Sequence, residues 1–150
     1  MTTNQQKIVD ILNKARSMEM ESIHQYMVQH YLLDSLNYEE LAKFQKLIAV
    51  DEMRHAERFA ERIREIGGIP TCERNGKIIL NQTLEEIYSH DINLESNTVE
   101  QYTKFIQECK NLGDSTTAEL FNDILAEEKI HLSQYEDDNS KIQEYKQNNK

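Results

Sequence analysis

Apolar side chains recur every three or four positions along four stretches of this chain, the spacing that lines one face of a helix. The first stretch, roughly 4–35, carries Ile8, Ile11, Leu12, Ala15, Glu19, Ser22, Ile23, Tyr26, His30 and Leu33. The second, roughly 37–66, carries Leu41, Phe44, Ile48, Glu52, His55, Phe59, Ile63 and Ile66. Gly67-Gly68-Ile69-Pro70 then stops it, as Gly and Pro do just past a helix end. The third, roughly 84–112, opens on a capping-box pair, Thr83 with Glu86, and runs through Leu84, Ile87, Tyr88, Asp91, Glu95, Val99, Tyr102, Ile106 and Cys109. Gly113-Asp114 turns into the fourth, roughly 115–144, with Ala118, Phe121, Ile124, Leu125, Glu128, His131, Leu132 and Tyr135. Short links join one to two and three to four, so each pair folds as an antiparallel hairpin, while residues 67–82 form one longer connection. The prediction is an all-α, antiparallel four-helix bundle with a single long crossover between helices 2 and 3. One domain spans 1–150, and the QNNK tail is expected to fray.

The stripes are not purely apolar, and their exceptions carry the chemistry. Glu19, Glu52, His55, Glu95, Glu128 and His131 all fall where core residues belong. Glu52–His55 and Glu128–His131 are Glu-x-x-His pairs, and residues three apart share a helix face. Burying charge is costly unless it is paired or metal-bound. Four carboxylates would balance two divalent cations, with neutral imidazoles adding nothing, and mixed carboxylate and imidazole ligands suit iron or manganese. One Glu from each of two helices and Glu-x-x-His from each of the other two is the known arrangement of ferritin-like di-iron and di-manganese bundles.

The motif alone is weak: with 19 Glu and 5 His in 150 residues, chance supplies about 0.6 such pairs. Glu21–His24 is a third, and Glu21 lies about 200° around the helix from Glu19, facing away from the core. The competing reading of the other two pairs is a set of buried salt bridges. Six polar residues on four core stripes favour the metal centre. Tyr26, seven after Glu19, reads either as a core tyrosine or as a redox-active neighbour. Asp91, four before Glu95, reads as an acceptor for a ligand imidazole or as a hydrogen bond at the core edge.

Composition narrows the class. One Pro, four Gly and no Trp suit an all-helical chain, and the net charge of −10 argues against nucleic acid, whose partners present basic surfaces. Cys72 and Cys109 form no CxxC motif and read as free thiols. The N-terminus, MTTNQQKIVD, carries no basic segment followed by an apolar one, and no apolar run reaches membrane-spanning length. A cytoplasmic protein without membrane contact is expected.

The stretches MEMESIHQYM, DEMRHAERFAERI, GGIP, the surroundings of Leu94-Glu95 and LAEEKIHL resemble bacterioferritin over about residues 5–145. That resemblance implies a ferroxidase centre of two Fe per subunit (Mn being the alternative), with Glu19, Glu52, His55, Glu95, Glu128 and His131 as ligands. Glu52 and Glu128 would bridge, and Tyr26 would be the redox-active tyrosine. It also implies that Met53 is an axial ligand of a b-type haem shared by two subunits across a two-fold axis. Spacing agrees: Met53 is about 100° from Glu52, on the flank of the bundle, near Ala49, Val50 and Ala60. His24 is expected near that subunit contact, with Met27 and Tyr31. The family builds a 24-subunit cage using a short fifth helix, and this chain ends in KIQEYKQNNK about where that helix begins. Leu47 stands where the family has an inner-surface His, while Asp51 remains.

The function these residues point to is iron oxidation and storage, with Fe(II) and O2 or H2O2 as substrates. Two alternatives differ in class: a rubrerythrin-like peroxide reductase, though no CxxC domain is present, and a dimeric haem or metal carrier that does not mineralise.

Overall fold

The structure, a computed structural model, describes residues 1–149 and contains four helices there: α1 (Thr3–Ser35), α2 (Glu39–Ile66), α3 (Leu84–Asn111) and α4 (Ser115–Asn148). No strand occurs among the described residues. At 1.5 Å per residue the 33 residues of α1 span about 50 Å. α1 packs chiefly on α2 and α3 on α4, and residues 67–83 run back along the bundle between the two hairpins. None of these helices is long and apolar enough to cross a membrane.

Three of the four helix starts, those of α1, α3 and α4, are capped by a side chain. Thr83 Oγ1 accepts from the Glu86 backbone N–H at 3.2 Å, but the Glu86 carboxylate accepts from the Thr83 hydroxyl instead of reaching back to the Thr83 N–H. The reciprocal box occurs at Thr2, where Gln5 N–H donates to Thr2 Oγ1 and Thr2 N–H to Gln5 Oε1. Asp114 caps α4 by accepting from Thr117 N–H at 2.9 Å. Gly67 ends α2 with φ +104°, a left-handed conformation that glycine adopts without strain. A Cβ on the next residue, Gly68, would lie 2.7 Å from Val9 Cγ1, so a glycine lets the chain pass close over α1.

α4 is longer than the periodicity suggests. Residues 141–148 continue it without a break instead of starting a new element, and Gln147 and Asn148 are helical where fraying was expected. Lys150, the last residue of that tail, lies outside the described residues.

The crossover is held by polar side chains of α1 that the apolar stripe did not include. Asn13 Nδ2 donates to Ile69 O and its Oδ1 accepts from Thr71 N–H. The buried Arg16 guanidinium donates to Thr71 O and to Ala56 O, and Gln25 pairs with both the N–H and the C=O of Ile79. A segment without its own secondary structure thereby has its backbone groups satisfied.

Two apolar clusters fill the interior. One contains Leu12, Phe59, Ile63, Phe105 and Phe121, the other Leu33, Ile48, Ile87, Tyr88 and Tyr135. A band of buried ionisable residues separates them, and all four helices contribute to it.

Candidate metal centre

Six side chains build that band, one each from α1 and α3 and two, three residues apart, from each of α2 and α4. Glu19 comes from α1, Glu52 and His55 from α2, Glu95 from α3, and Glu128 and His131 from α4. All six are buried, with relative exposures between 0 and 6 %. Glu19, Glu52, His55 and Glu128 each offer a ligand atom within 4.8 Å of the others, and so do Glu52, Glu95, Glu128 and His131. The two groups share Glu52 and Glu128. His55 Nδ1 lies 2.6 Å from Glu128, 3.4 Å from Glu52 and 3.6 Å from Glu19. His131 Nδ1 lies 3.1 Å from Glu52, 3.8 Å from Glu128 and 3.9 Å from Glu95.

Buried polar atoms are normally hydrogen-bonded, and here a whole set is not. Among the described residues the buried side-chain atoms without a hydrogen-bond partner are Glu19 Oε2, Glu52 Oε1, His55 Nδ1, Glu95 Oε2, both Glu128 oxygens, His131 Nδ1 and Asp91 Oδ1. All but the last belong to the six residues and gather at one place. Ligand atoms that converge in this way without hydrogen bonds are what a cation site offers.

Titration behaviour follows from the crowding. Burial pushes the Glu19 and Glu95 carboxyls well above the usual range, and the charges of Glu52 and Glu128 push further. Burial would likewise raise Glu128, but its close contacts with Glu95, His131 and His55 hold it well below its ordinary value. Burial would lower His131, yet its close contacts with the Glu128 and Glu52 carboxylates raise it to about 11, and His55 moves in the same direction. Without metal, protons take the place of cations.

The outward nitrogens of the two imidazoles are also occupied. His55 Nε2 meets Glu127 at 2.9 Å and His131 Nε2 meets Asp51 at 3.2 Å. A carboxylate accepting from Nε2–H turns Nδ1 inward as the ligating atom. Asp91 does not take this role: its Oδ2 accepts from Gln45 Nε2 at 2.7 Å, and burial pushes its carboxyl up to about 8. Sequence reading missed Glu127 and gave Asp51 no part beside an imidazole, although each directly precedes the Glu of a Glu-x-x-His pair.

Tyr26 Oη donates to Glu95 Oε1 at 2.6 Å. Tyr102 Oη donates to Glu19 Oε1, also at 2.6 Å, so the lone Glu of each hairpin has a tyrosine. Tyr102 lay on the apolar stripe and was given no role there.

The flank residues fall elsewhere. Met53 is 49 % exposed on the side of α2, whereas Ala49, expected beside it in an apolar strip, is completely buried against the rest of the bundle. Glu21 accepts from Asn75 Nδ2 on the crossover, and Arg74 Nη1 donates to the exposed His24 at Nδ1, so neither residue enters the centre. Leu47 is exposed on α2, beside a groove that Phe44, Asp51, Glu127, Ile130 and His131 also line. Cys72 is an exposed free thiol and Cys109 a buried one.

Comparison with known proteins agrees with this architecture. The ferritin-like domain model matches residues 9–144. Bacterioferritin of Desulfovibrio desulfuricans is 52 % identical over 136 residues, covering 91 % of this chain and 76 % of the relative. Bacterioferritin of Mycolicibacterium paratuberculosis is 32 % identical over 130 residues, covering 87 % of this chain and 82 % of the relative. An X-ray structure of the Desulfovibrio desulfuricans bacterioferritin, described with its diiron site in different catalytic states, superposes with a TM-score of 0.93 at 50 % identity. It covers 94 % of this chain and 82 % of that one. Four helices that meet in a band of carboxylates and imidazoles, with relatives of this identity over about three quarters or more of their length, make the chain a member of the bacterioferritin family.

Proposed function

We propose that the chain is a bacterioferritin that oxidises and stores iron, and that its activity is that of a ferroxidase. The observation that carries this reading is the cluster of unpartnered ligand atoms on six buried residues. Glu19, Glu52, His55 and Glu128 would hold one metal and Glu52, Glu95, Glu128 and His131 the other, and the pair would supply redox chemistry toward Fe(II) and its oxidant. The chain supplies near-neutral charge balance, a dry pocket, and imidazoles aimed by Asp51 and Glu127. Iron suits this donor set, and Fe(II) with O2 or H2O2 are the substrates. The acidic surface, at a net charge of −10, raises the local concentration of Fe(II).

The test adds Fe(II) aerobically to metal-free protein and follows ferric absorbance. A fast phase saturating at about two Fe per chain, followed by slower uptake into a ferric mineral, is the expected result. Uptake that stops at the fast phase would leave a metal carrier without storage. Absence of any oxidation above the buffer rate would refute the reading.

The same reading places a b-type haem between two chains related by a two-fold axis. Met53 is half-exposed on the flank of α2 with Val50 and Ala60 partly buried nearby, so its thioether is presented away from the bundle. A two-fold contact brings the same residue from both chains to one place, so that Met53 of each chain would hold a shared haem, which would supply one-electron redox chemistry there. Reconstitution with haem should give a bis-methionine spectrum at about one haem per two chains. Met53→Leu should abolish that spectrum while leaving two metals per chain. Wild-type protein that stays colourless after reconstitution would remove the haem and leave the dinuclear centre untouched.

A further inference from the structure

The two hairpins repeat each other: Glu19, Tyr26, Asp51, Glu52 and His55 recur at a constant offset of 76 positions as Glu95, Tyr102, Glu127, Glu128 and His131. Under the same offset Gln29 and Gln45 correspond to Phe105 and Phe121, which pack in an apolar cluster. Apolar rings therefore suffice for packing at such places. Burying amides there costs desolvation unless their donors and acceptors find partners. Those partners lie at the end of the crossover, where Gln82 and His90 complete a chain of hydrogen bonds.

The backbone fixes which way that chain runs. Ile79 N–H donates to Gln25 Oε1 at 2.8 Å and Ile79 O accepts from Gln25 Nε2 at 2.9 Å, so the Gln25 amide has one orientation. Its Nε2 also donates to Gln82 Oε1 at 3.2 Å, and Gln29 Nε2 donates to the same oxygen at 2.9 Å. Gln29 Oε1 accepts in turn from Gln45 Nε2. Gln82 Nε2 is thereby turned toward His90 Nδ1, 2.9 Å away, so that ring nitrogen is the acceptor. His90 is then neutral, with its proton on Nε2. The four glutamines are buried, while His90 is half-buried and within reach of solvent protons.

A protonated His90 has two N–H donors and no acceptor, and its Nδ1–H would face the Gln82 amino group. Turning the Gln82 amide over would offer its oxygen to His90 but its amino group to that of Gln25, which Ile79 holds in place. No orientation satisfies both. Burial also lowers His90 below its ordinary value of 6.5. The charged groups at this face are Glu85 and Glu86 of α3, which line the same shallow cavity as His90. Glu86 accepts from the Thr83 hydroxyl and Glu85 pairs with Lys146 of α4. Gln25 and Gln29 from α1, and Ile79 and Gln82 from the crossover, carry no charge.

We propose that His90 and Gln82 form an acid-sensitive latch, in which proton uptake on His90 Nδ1 expels Gln82 and frees residues 79–83 from α1. Gln82 lines the shallow cavity beside His90 and also a larger one of about 780 Å³ floored by Leu32, Leu41, Leu84 and Ile142, so its departure opens that apolar space to water. A histidine with a depressed folded value contributes its full stability above 6.5 and loses it as pH falls. That sign is opposite to the one Glu19, Glu95 and His131 give, whose folded values are raised. The latch therefore opens locally under conditions that favour the metal-free bundle as a whole.

Hydrogen exchange of the full chain, read by mass spectrometry and corrected for intrinsic rates, tests this between about pH 7 and about pH 5, which bracket the ordinary histidine value. The Ile79 amide is protected by Gln25, and the Asn75 amide, earlier in the same crossover, by Ser17 O without any link to His90. Peptides covering 79–83 should exchange about 10-fold faster at the lower pH, the scale of one lost hydrogen bond, while those covering 71–75 stay unchanged. His90→Asn, which keeps an acceptor but does not titrate, should abolish the acid response. His90→Leu, which has no acceptor, should exchange fast at both pH values. Segments 79–83 and 71–75 responding alike in the wild type would overturn the latch, and that comparison needs no variant to fold. An acid response that survives in His90→Asn would overturn it too, since the proton would then act elsewhere.

Discussion

Glu128→Ala should leave a folded bundle that binds no dinuclear metal and oxidises Fe(II) no faster than buffer. Glu128 belongs to both groups of ligand atoms, both of its oxygens lack a hydrogen-bond partner, and it is completely buried. Its removal therefore takes a ligand from each metal and unbalances the charge of the filled site. Glu127→Ala is the graded comparison. Glu127 touches the centre only through His55 Nε2 and is itself 53 % exposed in its side chain. Losing such an outer partner typically costs about 10–100-fold in metal affinity or activity. Metal content by mass spectrometry and initial rates of Fe(II) oxidation separate the two variants. A Glu128→Ala protein holding two metals per chain and turning over normally would show that the cluster is not the site of oxidation.

The six clustered side chains were legible because each interrupts an apolar stripe, and an interrupted stripe is a strong local signal. Glu127, and the contact Asp51 makes with an imidazole, were not, because both residues sit one position off the stripe and look like ordinary surface acids. Their partners are the imidazoles of the opposite hairpin, and no periodicity within one helix reports a contact between α2 and α4. Tyr102 was hidden differently: an aromatic residue on a core stripe needs no explanation until its hydroxyl is located. The offset of 76 positions would have exposed all three at once, since Tyr26, Asp51, Glu52 and His55 each find a counterpart under it.

The topology was legible from two short links and one long one. What the sequence hid is how the long link is secured. Arg16, Gln25 and Asn13 lie beside the stripe of α1, and polar residues there read as solvent-facing. They face a chain segment instead, and its backbone groups take up their hydrogen bonds. Periodicity describes a helix packed against other helices, so it has no symbol for a helix face covered by a crossover.

Metal-free protein should lose stability steadily as pH rises from about 5 to 9, and bound metal should reverse the trend. Glu19, Glu95 and Asp91 have folded pKa values raised by burial, Asp91 to about 8. Between the ordinary carboxylate range and those raised values the folded chain holds protons that the unfolded chain has released, so stability falls with pH. His131, raised from 6.5 to about 11, has the same sign: its contribution is complete below 6.5 and disappears as pH climbs toward 11. Glu128 is the opposite case, with a depressed value, and its contribution disappears only on strong acidification. The Asp91 shift alone corresponds to something on the order of 5 kcal/mol across its window, enough to lower Tm by about 10 °C or more in a chain of this length. Metal binding displaces the protons on the ligands, so affinity grows with pH, and saturating Mn(II) should stabilise the protein more at pH 8 than at pH 6. Differential scanning calorimetry of chelator-treated and Mn(II)-loaded samples over that range reads both slopes. A flat profile for the metal-free protein would mean that the carboxyl groups of the band are not desolvated together as the structure shows them.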